Sequence, residues 1–76
     1  MWTSGTTEQG GRKFSWHVKH FAEGSQFGIE EGRVSKLEIR EDWREVTNFD
    51  RGWDVRPAEA DEDVMAVFTA LLKKFN

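Results

Sequence analysis

One stretch near the C-terminus constrains the fold more than any other. Val64, Val67, Phe68, Leu71, Leu72 and Phe75 recur at the i, i+3, i+4, i+7, i+8, i+11 spacing of a single apolar helix stripe. Asp61, Glu62 and Asp63 stand at its start and Lys73 and Lys74 at its end, which suits the helix macrodipole. Pro57 marks the entry, because the residue before a proline avoids helical angles, so the first turn begins between residues 58 and 62. No other part of the chain has this period. A lone helix with one apolar stripe must bury it against something, and the upstream sequence has to supply that face from strands.

It does so by alternation. In "KFSWHVKH" (13–20), Phe14, Trp16 and Val18 fall on one face and Lys13, Ser15, His17 and Lys19 on the other. "WTSGTT" (2–7) reads as a preceding strand, joined to it through the Gly-Gly turn of "EQGGR". "VSKLEIRE" (34–41) alternates again, with Leu37 and Ile39 inward. "DWREVTNF" (42–49) offers the return strand, in which Val46 and Phe49 have opposite parity and need a bulge to share a face. Residues 21–33, with Gly24, Gly28 and Gly32, read as a long ordered loop holding at most a short strand around Phe27 and Ile29. Its glycines read as turn positions of positive φ. The expected architecture is β-β-loop-β-β-α: one small α+β domain over residues 1–76, with an antiparallel sheet of about four strands packed on one C-terminal helix.

Composition narrows the class further. A chain of 76 residues has room for one core, and its 4 Trp and 6 Phe supply much of the area to be buried. With no cysteine, neither disulfides nor a thiolate zinc site is available. "MWTSGTTEQGG" lacks the basic-then-apolar order of a signal peptide, and no apolar run approaches the roughly 20 residues of a membrane span. A soluble cytoplasmic protein without membrane contact is therefore expected. The net charge of -3, with acids and bases interspersed, disfavours nucleic acid as a partner.

The patterns that carry chemistry are weak. His17 and His20 lie three apart, which on a strand sends them to opposite faces, so no metal site is expected. Gly24, Gly28 and Gly32 followed by Arg33 lack the Gly-Lys-Ser/Thr and the helix entry of a phosphate loop. Glu30, Glu31, Glu41, Asp42, Asp50 and Asp54 show no pairing across a cleft, and no nucleophile elbow is present. No enzymatic activity and no cofactor are expected; a small phosphate-binding protein or hydrolase is the least favoured reading. A face with Lys13, Lys19, Lys36 and Arg40, diluted by Glu38, offers an alternative as a weak nucleic-acid surface. With Phe14 and Trp16 inward, however, that face has no aromatic on which bases would stack.

"NFDRGWDVRP" (48–57) admits two compatible readings. Asp-Arg-Gly is good turn chemistry, with Gly52 free to take positive φ, and Trp53 can fold back as a lid on the core. Arg and Trp are also the residue types favoured at interface hot spots. Phe27, Arg33, Arg51 and Trp53 are the candidate interaction surface, for an unknown protein partner or a second copy of the chain.

The runs "GRVSKL" (32–37) and "NFDRGWD" (48–54), on a chain opening "MWTSGTT" with "HVKHFAEGSQFGIEEG" between, resemble a family of short proteins without known activity. Its members occur in bacteria, their phages and prophages, and the likeness spans nearly the whole chain. The family often has Gly-Gly-Arg where this chain has Glu31-Gly32-Arg33, and Tyr where it has Phe49, so no role of that hydroxyl carries over. The resemblance implies a setting, with host-system inhibition as one version of the function, and no chemistry.

Overall fold

The computed structural model describes all 76 residues. Five strands form one antiparallel sheet in sequence order: β1 (Trp2–Gln9), β2 (Arg12–His20), β3 (Val34–Glu41), β4 (Arg44–Asp50) and β5 (Trp53–Val55). A single helix, α1 (Glu62–Phe75), covers one face. The α+β class and the helix-on-sheet layering follow the alternation and the lone stripe. The strand count is five rather than four. The three residues of β5 are too few to show a period, so this strand has no signature in the sequence.

Gly10 (φ 60) and Gly11 (φ 76) both take the left-handed conformation that a two-residue type I′ hairpin requires, which fixes Gln9 opposite Arg12. That register sends Phe14, Trp16 and Val18 to the helix side, where Leu37, Ile39, Thr47 and Phe49 join them from β3 and β4. The register shift at Ile39/Arg40 lets Val46 and Phe49 both pack on the core, as the bulge reading requires. Val64, Val67, Leu71 and Phe75 close the core from α1, while Phe68 and Leu72 are half-buried at its margin. Asp61 is the N-cap, its carboxylate accepting from the Val64 N–H at 3.1 Å.

The loop between β2 and β3 contains no strand. Ile29–Glu31 form one turn of 3-10 helix that drops Ile29 into the core. Asn76 holds this turn from the helix end: its Oδ1 accepts from the Val34 N–H at 3.0 Å and its Nδ2 donates to the Ile29 carbonyl at 3.1 Å. The loop glycines are not positive-φ positions; Glu30 (φ 51) and Glu31 (φ 58) are. Gly28 and Gly32 are glycine for space, since a Cβ on Gly28 would meet the Gly32 carbonyl and one on Gly32 would meet the Asn76 amide.

Candidate functional site

The two ends of β2 have opposite characters. At its start, Arg12 donates through Nε and Nη2 to Glu41 (2.9 and 2.7 Å) and through Nη1 and Nη2 to Asp61 (2.8 and 3.1 Å). A further bond from Nη1 reaches Asp63 at 3.3 Å, and the guanidinium lies 5.0 Å from the Phe14 ring centre. One side chain thus ties the first hairpin, the end of β3 and the helix N-cap together. Hydrogen bonds from Arg12 hold the Glu41 and Asp61 carboxyls below their ordinary range, and for Asp61 the Val64 N–H adds to the effect. The same bonds raise the Arg12 guanidinium. This end is satisfied within the fold.

At the other end, Lys19 has its ammonium 6.0 Å from the Trp2 ring and 5.6 Å from the Phe21 ring, and pairs with no carboxylate. Four of the five large exposed hydrophobics, Met1, Trp2, Phe21 and Phe27, gather at this end; the fifth, Trp43, is on the β3–β4 turn. Lys19, Phe21, Ser25, Phe27, Lys36 and Arg51 line a recess of about 320 Å³ beside the 21–33 loop. A neighbouring hollow on the outer sheet face shares Lys36 and adds Trp2 and His17. Asp50 is 3.6 Å from Lys36 and 3.8 Å from Arg51, so one carboxylate is shared by two cations and Lys19 is left over.

Of the four residues singled out in the sequence, Phe27 and Arg51 share this recess. Arg33 lies around Phe21 in an adjoining hollow with Met1 and His20. Trp53 is elsewhere: it packs edge-on against Phe49 (5.1 Å) and against Phe68 (5.6 Å), with Arg56 over its ring, as the expected lid. In the Asp-Arg-Gly turn the left-handed residue is Arg51 (φ 55) and not Gly52. The Arg51 N–H donates to the Ser35 carbonyl at 3.0 Å, which holds its backbone in that conformation against β3.

The outward basic face is partly neutralised within the fold. Lys13, Lys19, Lys36 and Arg40 do point outward, but Arg40 is engaged by Glu38 (3.2 Å) and Glu45 (3.5 Å), and Arg40 pulls the Glu38 carboxyl down. That face is not free of aromatics either. Trp2 stands opposite Lys19 in the β1–β2 register and therefore shares its outward side, 55% exposed. His17 and His20 do diverge. His17 Nδ1 is bonded to Ser4 Oγ on the outer side, while His20 stacks on Phe75 at 4.9 Å beneath the helix. No group of three potential metal ligands converges anywhere in the chain.

A family-level comparison matches residues 1–76, the full chain, to Domain of unknown function (DUF7678). The chain belongs to that family. No curated protein and no solved structure matches it. The DUF7678 assignment covers the sheet, the loop and the helix as one unit and brings no activity with it. No helix of this DUF7678 domain is long and apolar enough to cross a membrane.

Proposed function

We propose that this DUF7678 protein is a non-enzymatic interaction module that docks an acidic segment of a partner protein on the surface around Lys19. The supporting observation is the gathering of Trp2, Phe21 and Phe27 about a lysine with no carboxylate partner, in a chain whose net charge is -3. Apolar rings beside an unpaired cation suit a carboxylate flanked by an apolar residue. The backbone of Arg51, held in a conformation that costs an L-residue about 1–2 kcal/mol, keeps a second cation at the recess. In a phage or prophage setting, the partner would be a host component and docking would inhibit it.

A second reading has its own support. Trp2 on the outward face gives a single strand a stacking position beside Lys19, Lys36 and Arg51. Changes in Trp fluorescence on titration separate the two. Acidic peptides carrying an aromatic anchor should bind, and Lys19→Glu and Phe27→Ala should each weaken them. Oligothymidylate binding whose affinity falls steeply with salt, with no peptide response, would transfer the surface to nucleic acid. Inorganic phosphate alone saturating Lys19 and Arg51 would instead mark a small-anion site. Silence from all three probes removes the surface as a docking site.

A further inference from the structure

The two edges of the sheet are finished differently. β5 is three residues long and is followed by Pro57, so it offers little to pair with. β1 is eight residues long, with no proline, no lysine and only one charge, Glu8. The His20 N–H donates to the Met1 carbonyl at 2.9 Å. By the alternation of an antiparallel ladder, Met1, Thr3, Gly5, Thr7 and Gln9 direct their backbone groups to β2. Trp2, Ser4, Thr6 and Glu8 therefore turn their N–H and C=O groups away from the sheet, with no strand to receive them.

The geometry points to a second copy of this chain as the occupant, with β1 pairing antiparallel to β1 about a twofold axis at Gly5. In that register Trp2 faces Glu8 of the other copy, Ser4 faces Thr6, and Gly5 faces Gly5. All four outward residues of each strand are used, and no like charges meet. Glu8 falls beside the partner's Trp2 and one strand away from its Lys19, the cation without a carboxylate of its own. Gly5 suits the axis: the Trp16 indole lies across it so closely that a Cβ there would touch the ring, which leaves the axis itself without a side chain on the helix side, between Thr3 and Thr7.

The helix supplies an independent match. Asp63 lies against Gly10 on the β1–β2 side and Phe68 against Trp53 on the β5 side. The helical period therefore sets Asp63, Ala66, Ala70 and Lys74 on the flank toward the β1 edge. The same twofold axis keeps both helices on one face and makes them antiparallel. This flank then meets itself reversed, acid toward base and alanine toward alanine, and the small side chains allow close approach.

The test is a concentration series by light scattering and sedimentation on the full chain, from about 10 to 500 µM, since such a dimer is governed by protomer concentration. A monomer–dimer equilibrium is expected. Ser4→Lys with Thr6→Lys, which sets lysines opposite each other across the axis, should raise the dimer Kd at least about tenfold. Thr6→Pro, which removes an outward N–H and no internal bond, should do the same. If the proline variant does not fold by circular dichroism, the lysine pair decides. Phe27→Ala and Arg51→Ala, which change the recess alone, should leave the dimer intact, whereas Trp2 and Lys19 border both surfaces. A monomer throughout the range, or a dimer indifferent to the lysine pair, overturns the proposal.

Discussion

The Arg12 end and the Lys19 end of β2 are about equally rich in charge, and they use it in opposite ways. At the first, one guanidinium on β2 is bonded to three carboxylates, Glu41 at the end of β3 and Asp61 and Asp63 at the start of the helix. At the second, cations lie beside exposed rings and share a single aspartate. The contrast shows that charge at the edge of a small core becomes structural when its partners come from separate elements. Where the partners are missing, the same chemistry faces outward and is open to a ligand.

Substitutions at the two ends should therefore separate stability from recognition. The largest effect is expected from Arg12→Ala, which releases the hairpin, β3 and the helix cap together. Its thermal midpoint should fall further than that of any variant at the Lys19 end, where Phe27→Ala should stay within about 0.5 kcal/mol of the parent in urea denaturation. Equal losses at both ends would break the distinction. Next comes Asn76→Ala, which removes two hydrogen bonds that hold the loop to the helix end and should cost about 1–3 kcal/mol, with faster proteolysis inside residues 21–33.

Acid titration sharpens the comparison from another side. Glu41 and Asp61 are held below their ordinary values of 4.5 and 3.8, so their contribution is fully present above about pH 4.5 and is lost as pH falls through their lowered folded-state values. Stability measured from about pH 7 down to pH 3 should decline at the acid end, and Arg12→Ala should flatten that decline. A slope unchanged by the substitution would place the acid-sensitive groups elsewhere. A gain and not a loss is expected from Arg51→Gly, which relieves the left-handed backbone and should stabilise by up to about 1 kcal/mol while weakening acidic-peptide binding.

The core and the layering could be read from the sequence because they depend on period. Phe14, Trp16, Val18, Leu37 and Ile39 alternate, and the helix stripe admits no other reading. The site was less legible because it depends on register. Trp2 carries no sign of its facing until the Gly10-Gly11 turn sets it opposite Lys19. Arg12 looks like any surface arginine until Glu41 and Asp61, distant in sequence, converge on it. Of the recess, Phe27 and Arg51 were accessible from residue type, and Lys19 and Lys36 only as members of a basic face. Trp53 shares their chemistry and belongs to the core, since nothing local distinguishes a lid from a hot spot. The loop glycines misled for a related reason: positive φ and close approach leave the same letter in the sequence.

The tether from Asn76 to Ile29 and Val34 has a kinetic consequence. Every strand of the sheet pairs with its neighbour in the chain, so the meander can form by successive local closures, with a long loop to close only between β2 and β3. The 21–33 loop is different, because the side chain that fixes its turn, that of Asn76, belongs to the C-cap of the helix. Until α1 docks, the loop that carries Phe21 and Phe27 has only its own bonds, such as those from the Phe21 N–H to the Arg33 carbonyl and from the Ser25 N–H to the Gly32 carbonyl. Partly folded chains, even with the meander complete, would therefore present a looser Lys19 surface, and a ligand of the kind proposed would favour the fully assembled molecule.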